Sequence, residues 1–61
     1  MTMIYLIIGA TINPLGEFAN KRLVCSRADE RHAATLCLNW NAENRTQGFL
    51  ARYYYEGCAV L

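Results

Sequence analysis

No apolar stretch in this 61-residue chain approaches the ~20 residues that a membrane-crossing helix needs. The richest one, MTMIYLIIGA at the N-terminus, also lacks the basic n-region of a signal peptide, because the first Lys or Arg is Lys21. It reads as a core strand, and the chain as a cytoplasmic protein without a membrane partner. Basic runs are absent too. The net charge is +1, which excludes the strong electrostatic footprint of a dedicated nucleic-acid binder and equally excludes an acidic mimic of DNA. Cysteines are few and widely spaced: Cys25, Cys37 and Cys58 are an odd number with no close pair. That is not a disulfide framework, and reduced thiols of the cytosol are the simpler reading.

Catalytic patterns are likewise missing. A zinc site from the three cysteines and His32 lacks the paired short spacing of structural zinc sites, and buried cysteines acting as small hydrophobes account for the positions. A nucleophile pair of Cys25 and His32 has nothing in sequence to orient it. Asp29 and Glu30 are adjacent, so on a helix they point to different faces and serve better as N-terminal charges than as paired carboxylates. No glycine-rich phosphate loop and no Ser/His/Asp pattern occurs. Asn44-Arg45-Thr46 matches a glycosylation acceptor only by chance in an unsecreted chain. The expectation is a protein that is not an enzyme, with no cofactor and no metal.

What is abundant is apolar surface. Hydrophobic residues make up 54% of the chain and charged residues only 18%. A single domain over residues 1–61 buries only about 60% of its unfolded surface, so part of this apolar content must reach the outside. Contiguous exposed apolar patches mark interaction sites.

The run from Met3 to Ile12 is β-branched, interrupted by Gly9 and apolar on both parities, which predicts a central strand. Asn13-Pro14-Leu15-Gly16 suits a type I turn, and Phe18 to Cys25 returns as a second antiparallel strand. Ser26-Arg27-Ala28-Asp29 matches a capping box opening the one helix, whose stripe is Ala33, Leu36, Cys37 and Trp40. Asn39, Asn41 and Asn44 flank its exit, with a loop to about Thr46. Phe49 to Tyr55 is the third strand, Glu56-Gly57 a tight turn with Gly57 at positive φ, and Cys58 to Leu61 a short fourth strand. The predicted fold is α+β in two layers, ordered ββαββ, with a four-stranded antiparallel sheet and one helix on one face.

Three consecutive tyrosines, Tyr53 to Tyr55, cannot share one face of a strand. Phe49, Ala51, Tyr53 and Tyr55 carry no charge and are assigned to the helix side, joined across the turn by Cys58 and Val60. In the first strand the more aliphatic parity, Ile4, Leu6 and Ile8, is assigned to the same side. The open face then holds Tyr5, Ile7, Arg22, Leu50, Arg52 and Tyr54. Tyr and Arg are enriched at binding hot spots because each buries a large area and keeps a polar tip, so these six are the expected partner-binding residues. The exposed apolar residues of the first strand further imply a homodimer through this face or the strand edge. A second reading takes Tyr5, Tyr54, Arg52 and Arg22 as a base-stacking and phosphate-contacting set for RNA or single-stranded nucleic acid, although the RNA-recognition consensus is absent.

In size and in its ββαββ order, with the strand-into-capped-helix segment RLVCSRADERHAATLCL, the chain resembles tiny phage-encoded proteins that block host defence complexes, anti-CRISPR inhibitors among them. The resemblance implies stoichiometric inhibition by docking on a host protein complex. It transfers no functional residues.

Overall fold

In the computed structural model, which describes residues 2–60, three strands and one helix follow in the order β1 (Thr2–Ile12), β2 (Phe18–Arg27), α1 (Glu30–Gln47) and β3 (Ala51–Val60). The sheet order is β2-β1-β3, with both pairings antiparallel. β1 is therefore central, as its β-branched, doubly apolar sequence requires. The β1–β2 hairpin closes over Asn13–Gly16. The Gly16 amide donates to the Asn13 carbonyl at 2.9 Å, and the Asn13 side-chain oxygen accepts from the amides of Leu15 and Glu17. Gly16 takes φ 83°, a left-handed conformation that costs glycine little.

Among the described residues there is no fourth strand, which corrects the expected four-stranded sheet to a three-stranded one. Glu56 and Gly57 make no turn; they continue β3 in register with Leu6 and Tyr5, and Cys58 to Val60 pair onward with Ile4, Met3 and Thr2. Leu61, the last residue of that expected strand, lies outside the described residues. The physical reason is the length of β1. Its eleven residues offer a partner to all of residues 51–60, and continuing an antiparallel ladder satisfies more backbone groups than turning back. Gly57 keeps an ordinary extended φ, and its missing side chain leaves room for Met3 and Tyr5, whose Cε and Cε1 atoms would lie 3.1 and 3.5 Å from a Cβ.

The helix begins later than the capping box suggested. Ser26 and Arg27 still belong to β2, paired with Leu6 and Tyr5. Asp29 is the N-cap, its carboxylate accepting from the Arg31 amide at 3.1 Å. Glu30 in the first turn and Arg45 in the last complement the helix dipole. The helix also runs further, through Gln47, and stops at Gly48, which adopts φ 78° so that the amides of Gly48 and Phe49 reach the carbonyls of Arg45 and Asn44. Phe49 and Leu50 form the connection to β3 rather than its start.

α1 lies over β3 and the β1 seam and meets β2 least. Ile7, Ala33 and Cys37 are its buried contact, ringed by Tyr5, Cys25, Leu36, Trp40, Tyr53 and Tyr55. The helical stripe Ala33, Leu36, Cys37 and Trp40 thus packs as its spacing predicts. So do Tyr53, which meets Trp40 edge-on with centroids 5.0 Å apart, and Tyr55, which meets Tyr5 at 6.1 Å.

The parity of β1 is the reverse of the expectation. Ile7 is 0% exposed and sits under the helix with Tyr5, whereas Ile8 pairs with Tyr54 and Leu23 on the other side. Register explains this. β3 places Tyr53 opposite Gly9 and Tyr55 opposite Ile7, so the tyrosine rings select which side of β1 becomes the core. Gly9 is what admits them. A Cβ there would stand 3.2 Å from the Tyr53 ring and 3.0 Å from Val24. Across this seam the large rings face glycines, Tyr53 against Gly9 and Tyr5 against Gly57.

Candidate functional site

The helix leaves one whole face of the sheet uncovered. Its floor is the even parity of β1, with Leu6 and Ile8 at the centre. β2 contributes Leu23, opposite Ile8 and 64% exposed, and β3 contributes Tyr54, also opposite Ile8. Lys21 and Arg22 on one flank and Glu56 on the other border the same shallow depression of about 370 Å³. Toward the hairpin, the Phe18 ring stacks on Tyr54 with centroids 5.3 Å apart, and Ala10, between their partners in β1, is buried.

The six residues expected to form the open face separate. Arg52 and Tyr54 lie on it. Arg52 is partly engaged, its guanidinium donating to the carbonyls of Phe49 and Ala51 at 2.7 Å each. Leu50 is exposed, in the connection before β3. Arg22 is exposed on β2, paired with Gly9, and borders both a small cavity with Asn20 and Thr11 and the open-face depression beside Leu23 and Tyr54. Tyr5 and Ile7 are in the core cluster, so a fully buried Ile7 has no surface to offer a partner. The residues that take their place, Leu6, Ile8, Leu23, Phe18, Lys21 and Glu56, follow from β1 once Gly9 is recognised as the floor beneath a cross-strand tyrosine.

The two sheet edges are each partly protected against strand addition, by different devices. Along β3, the helix turns Asn41 and Asn44 onto the outer backbone. Asn41 donates to the Tyr53 carbonyl at 2.8 Å and accepts from the Tyr53 amide at 2.7 Å, and Asn44 donates to the Ala51 carbonyl at 3.1 Å. These asparagines, expected as signals of a helix exit, instead satisfy edge groups that would recruit another strand. Along β2, the register slips between Ile7 and Ile8 and again between Gly9 and Thr11, and Asn20 sits at φ 54°. Bulges of this kind bend an edge away from further pairing.

At the other end of the helix, the Tyr55 hydroxyl donates to the Glu30 carboxylate at 3.2 Å. That hydrogen bond, followed by desolvation and the Glu30 charge, holds the phenol above its ordinary range. The cysteines are dispersed: Cys37 buried on α1, Cys25 half-buried on β2, Cys58 exposed on β3. Burial, with a smaller contribution from Cys25, raises the Cys37 thiol pKa. Among the described residues, no group of three His, Cys, Asp or Glu side chains is placed to hold a metal ion, and no helix is long and apolar enough to cross a membrane.

No protein-family model, curated protein or solved structure matches the chain.

Proposed function

We propose that this chain is a non-enzymatic protein-interaction module that works by docking its open sheet face on another protein inside the cell, in the manner of a stoichiometric inhibitor of a host protein complex. The observation that carries the reading is the cluster of Leu6, Ile8, Leu23 and Tyr54, an apolar floor flanked by Lys21, Arg22 and Glu56 with none of the described elements above it. The four-strand order that contributed to the resemblance with phage-encoded inhibitors is gone. The inhibitor reading therefore leans on the small size, the open face and the strand-into-helix segment.

Nucleic-acid binding has less support. Tyr5 is taken up by the core, and Phe18 and Tyr54 stack on each other, which leaves fewer free ring faces for bases. The test is affinity capture of bacterial proteins by the native chain and by Leu23→Glu, an exposed position where the added charge spares the core. A discrete set of captured proteins lost in Leu23→Glu is expected. A turnover activity that survives Tyr54→Ala and Arg52→Ala and disappears with Cys25→Ser would replace the docking reading by an enzyme. RNA binding that weakens steeply with salt would replace it by the nucleic-acid one.

A further inference from the structure

We infer that the helix side of this fold carries a binding site for an alkylated ammonium cation, in a pocket of about 310 Å³ between the C-terminal half of α1 and β2. The pocket exists because α1 lies over β3 and the β1 seam and covers β2 least. Its walls are Val24 of β2, Tyr53 of β3, Phe49 of the connection, and Trp40, Glu43 and Gln47 of α1. The site is on the other side of the sheet from the face proposed to dock, and it stands or falls without that reading.

Helical spacing assembles the first wall. Trp40, Glu43 and Gln47 follow one another at steps of three and four residues, so they form one row that continues the buried stripe past the core. The sheet supplies the second wall. The Tyr53 ring meets Trp40 at 62° with centroids 5.0 Å apart, so the two rings form a corner rather than a stack. Phe49 closes a third side, and the helix stop sets its position. Gly48 turns the chain at φ 78°, and the Phe49 amide then donates to the Asn44 carbonyl at 2.8 Å. Phe49 remains 54% exposed, a large ring held beside two others with part of its surface free.

The lining selects a guest by charge. Aromatic faces are electrostatically negative and attract cations. Among the described residues that line the pocket, Glu43 alone is charged; Arg45, also in the last turn of α1, does not line it. The Gln47 amide donates to one Glu43 oxygen at 3.4 Å, which orients the carboxylate and leaves its second oxygen without a partner among the described residues. The C-terminal end of α1 adds the negative end of the helix dipole. Three rings, a carboxylate and a helix C-terminus all favour a positive guest. The same lining selects its kind. A primary ammonium brings three N–H donors that need acceptors, and the rings and Val24 offer none. Alkyl groups on the nitrogen remove those donors and let the charge rest against apolar walls without an unmet hydrogen bond. The fitting guest is a small quaternary ammonium, either free or as the trimethylated end of a lysine side chain.

Trp40 is the single tryptophan of the chain, so its fluorescence reports this pocket directly. Choline is expected to change the emission saturably, where sodium chloride at equal ionic strength does not. The neutral carbon isostere of choline, with a tert-butyl group in place of trimethylammonium, has the same shape without the charge and is expected to bind roughly tenfold more weakly. This comparison uses the native chain and needs no variant. Glu43→Gln removes the charge, and Phe49→Leu keeps an apolar wall without the ring. Both positions are exposed, circular dichroism checks that each variant is folded, and each is expected to weaken choline binding by roughly tenfold. A trimethyllysine peptide and its unmodified form separate the two sources. Tighter binding of the trimethylated peptide than of choline assigns the pocket to a partner's side chain, and the reverse assigns it to a free cation. No saturable change in tens of millimolar choline overturns the inference. So does equal binding of the neutral isostere, choline binding indifferent to both variants, or an unmodified peptide that binds as well as the trimethylated one.

Discussion

Ile7 and Ile8 are identical side chains on consecutive residues, and they do opposite things. Ile7 is the largest fully buried side chain of the core, while Ile8 lies on the open face. Ile7→Ala is expected to cost about 2–5 kcal/mol and Ile7→Val about 0.5–1.5 kcal/mol, with smaller losses for the same changes at Ile8. Urea denaturation at concentrations low enough to keep the chain monomeric measures the difference. Comparable losses at the two positions would contradict the assignment of faces. Asn41 is the second informative residue, because one side chain satisfies both outward backbone groups of Tyr53. Asn41→Ala leaves a partly buried donor and acceptor without partners, at a cost of about 1–3 kcal/mol. The Tyr53 amide should then exchange its hydrogen much faster, and unchanged protection there would show that the strap is dispensable.

At the scale of elements, the helix termini are set by single residues. Asp29→Ala removes the cap on the Arg31 amide and is expected to cost about 1 kcal/mol, whereas Ser26→Ala, in β2 and away from the helix, should be close to neutral. Thermal denaturation of the pair separates the two possible starts of α1. The helix is also tied to β3 through Tyr55 and Glu30, and this contact is pH-dependent. The folded-state phenol pKa is raised, chiefly by donating to the carboxylate. The contribution is therefore fully present below the ordinary tyrosine pKa of about 10 and is lost as pH rises through the higher folded value. Ultraviolet titration should show Tyr55 ionising above its ordinary range, and Glu30→Gln should lower it.

On the scale of the whole molecule, the described residues give the sheet two faces and one helix. Covering one side buries Ile7, Ala33 and Cys37, and the other side leaves Leu6, Ile8, Leu23 and Tyr54 uncovered. The three thiols report this asymmetry. Alkylation followed by mass spectrometry should label Cys58 first and Cys37 last, because burial both hides the Cys37 thiol and raises its pKa, which lowers the thiolate fraction. The purified protein is expected to hold no stoichiometric zinc, and to keep its unfolding curve when a chelator is added. Unfolding by chelator would mean that the separated cysteines are brought together by a metal.

Local pattern was sufficient for several features. The β-branched N-terminal run is the central strand, Asn13 to Gly16 is the turn, the stripe from Ala33 to Trp40 is the buried side of the helix, and Tyr53 and Tyr55 face it. These are legible because a strand alternates every two residues and a helix returns every three to four, so neighbours along the chain settle them. The rest depended on long-range pairing. Glu56-Gly57 has the composition of a turn, yet it stays extended because β1 is long enough to pair with it. Ser26 has the chemistry of a cap, yet the ladder with Leu6 holds it in β2. The open face, and with it the candidate site, turned on the parity of β1. In a strand apolar on both sides, hydrophobicity does not choose a face; the register with the tyrosines of β3 does, and a shift of one residue would exchange Ile7 for Ile8. Tertiary structure alone decided that question, through the space Gly9 leaves for Tyr53.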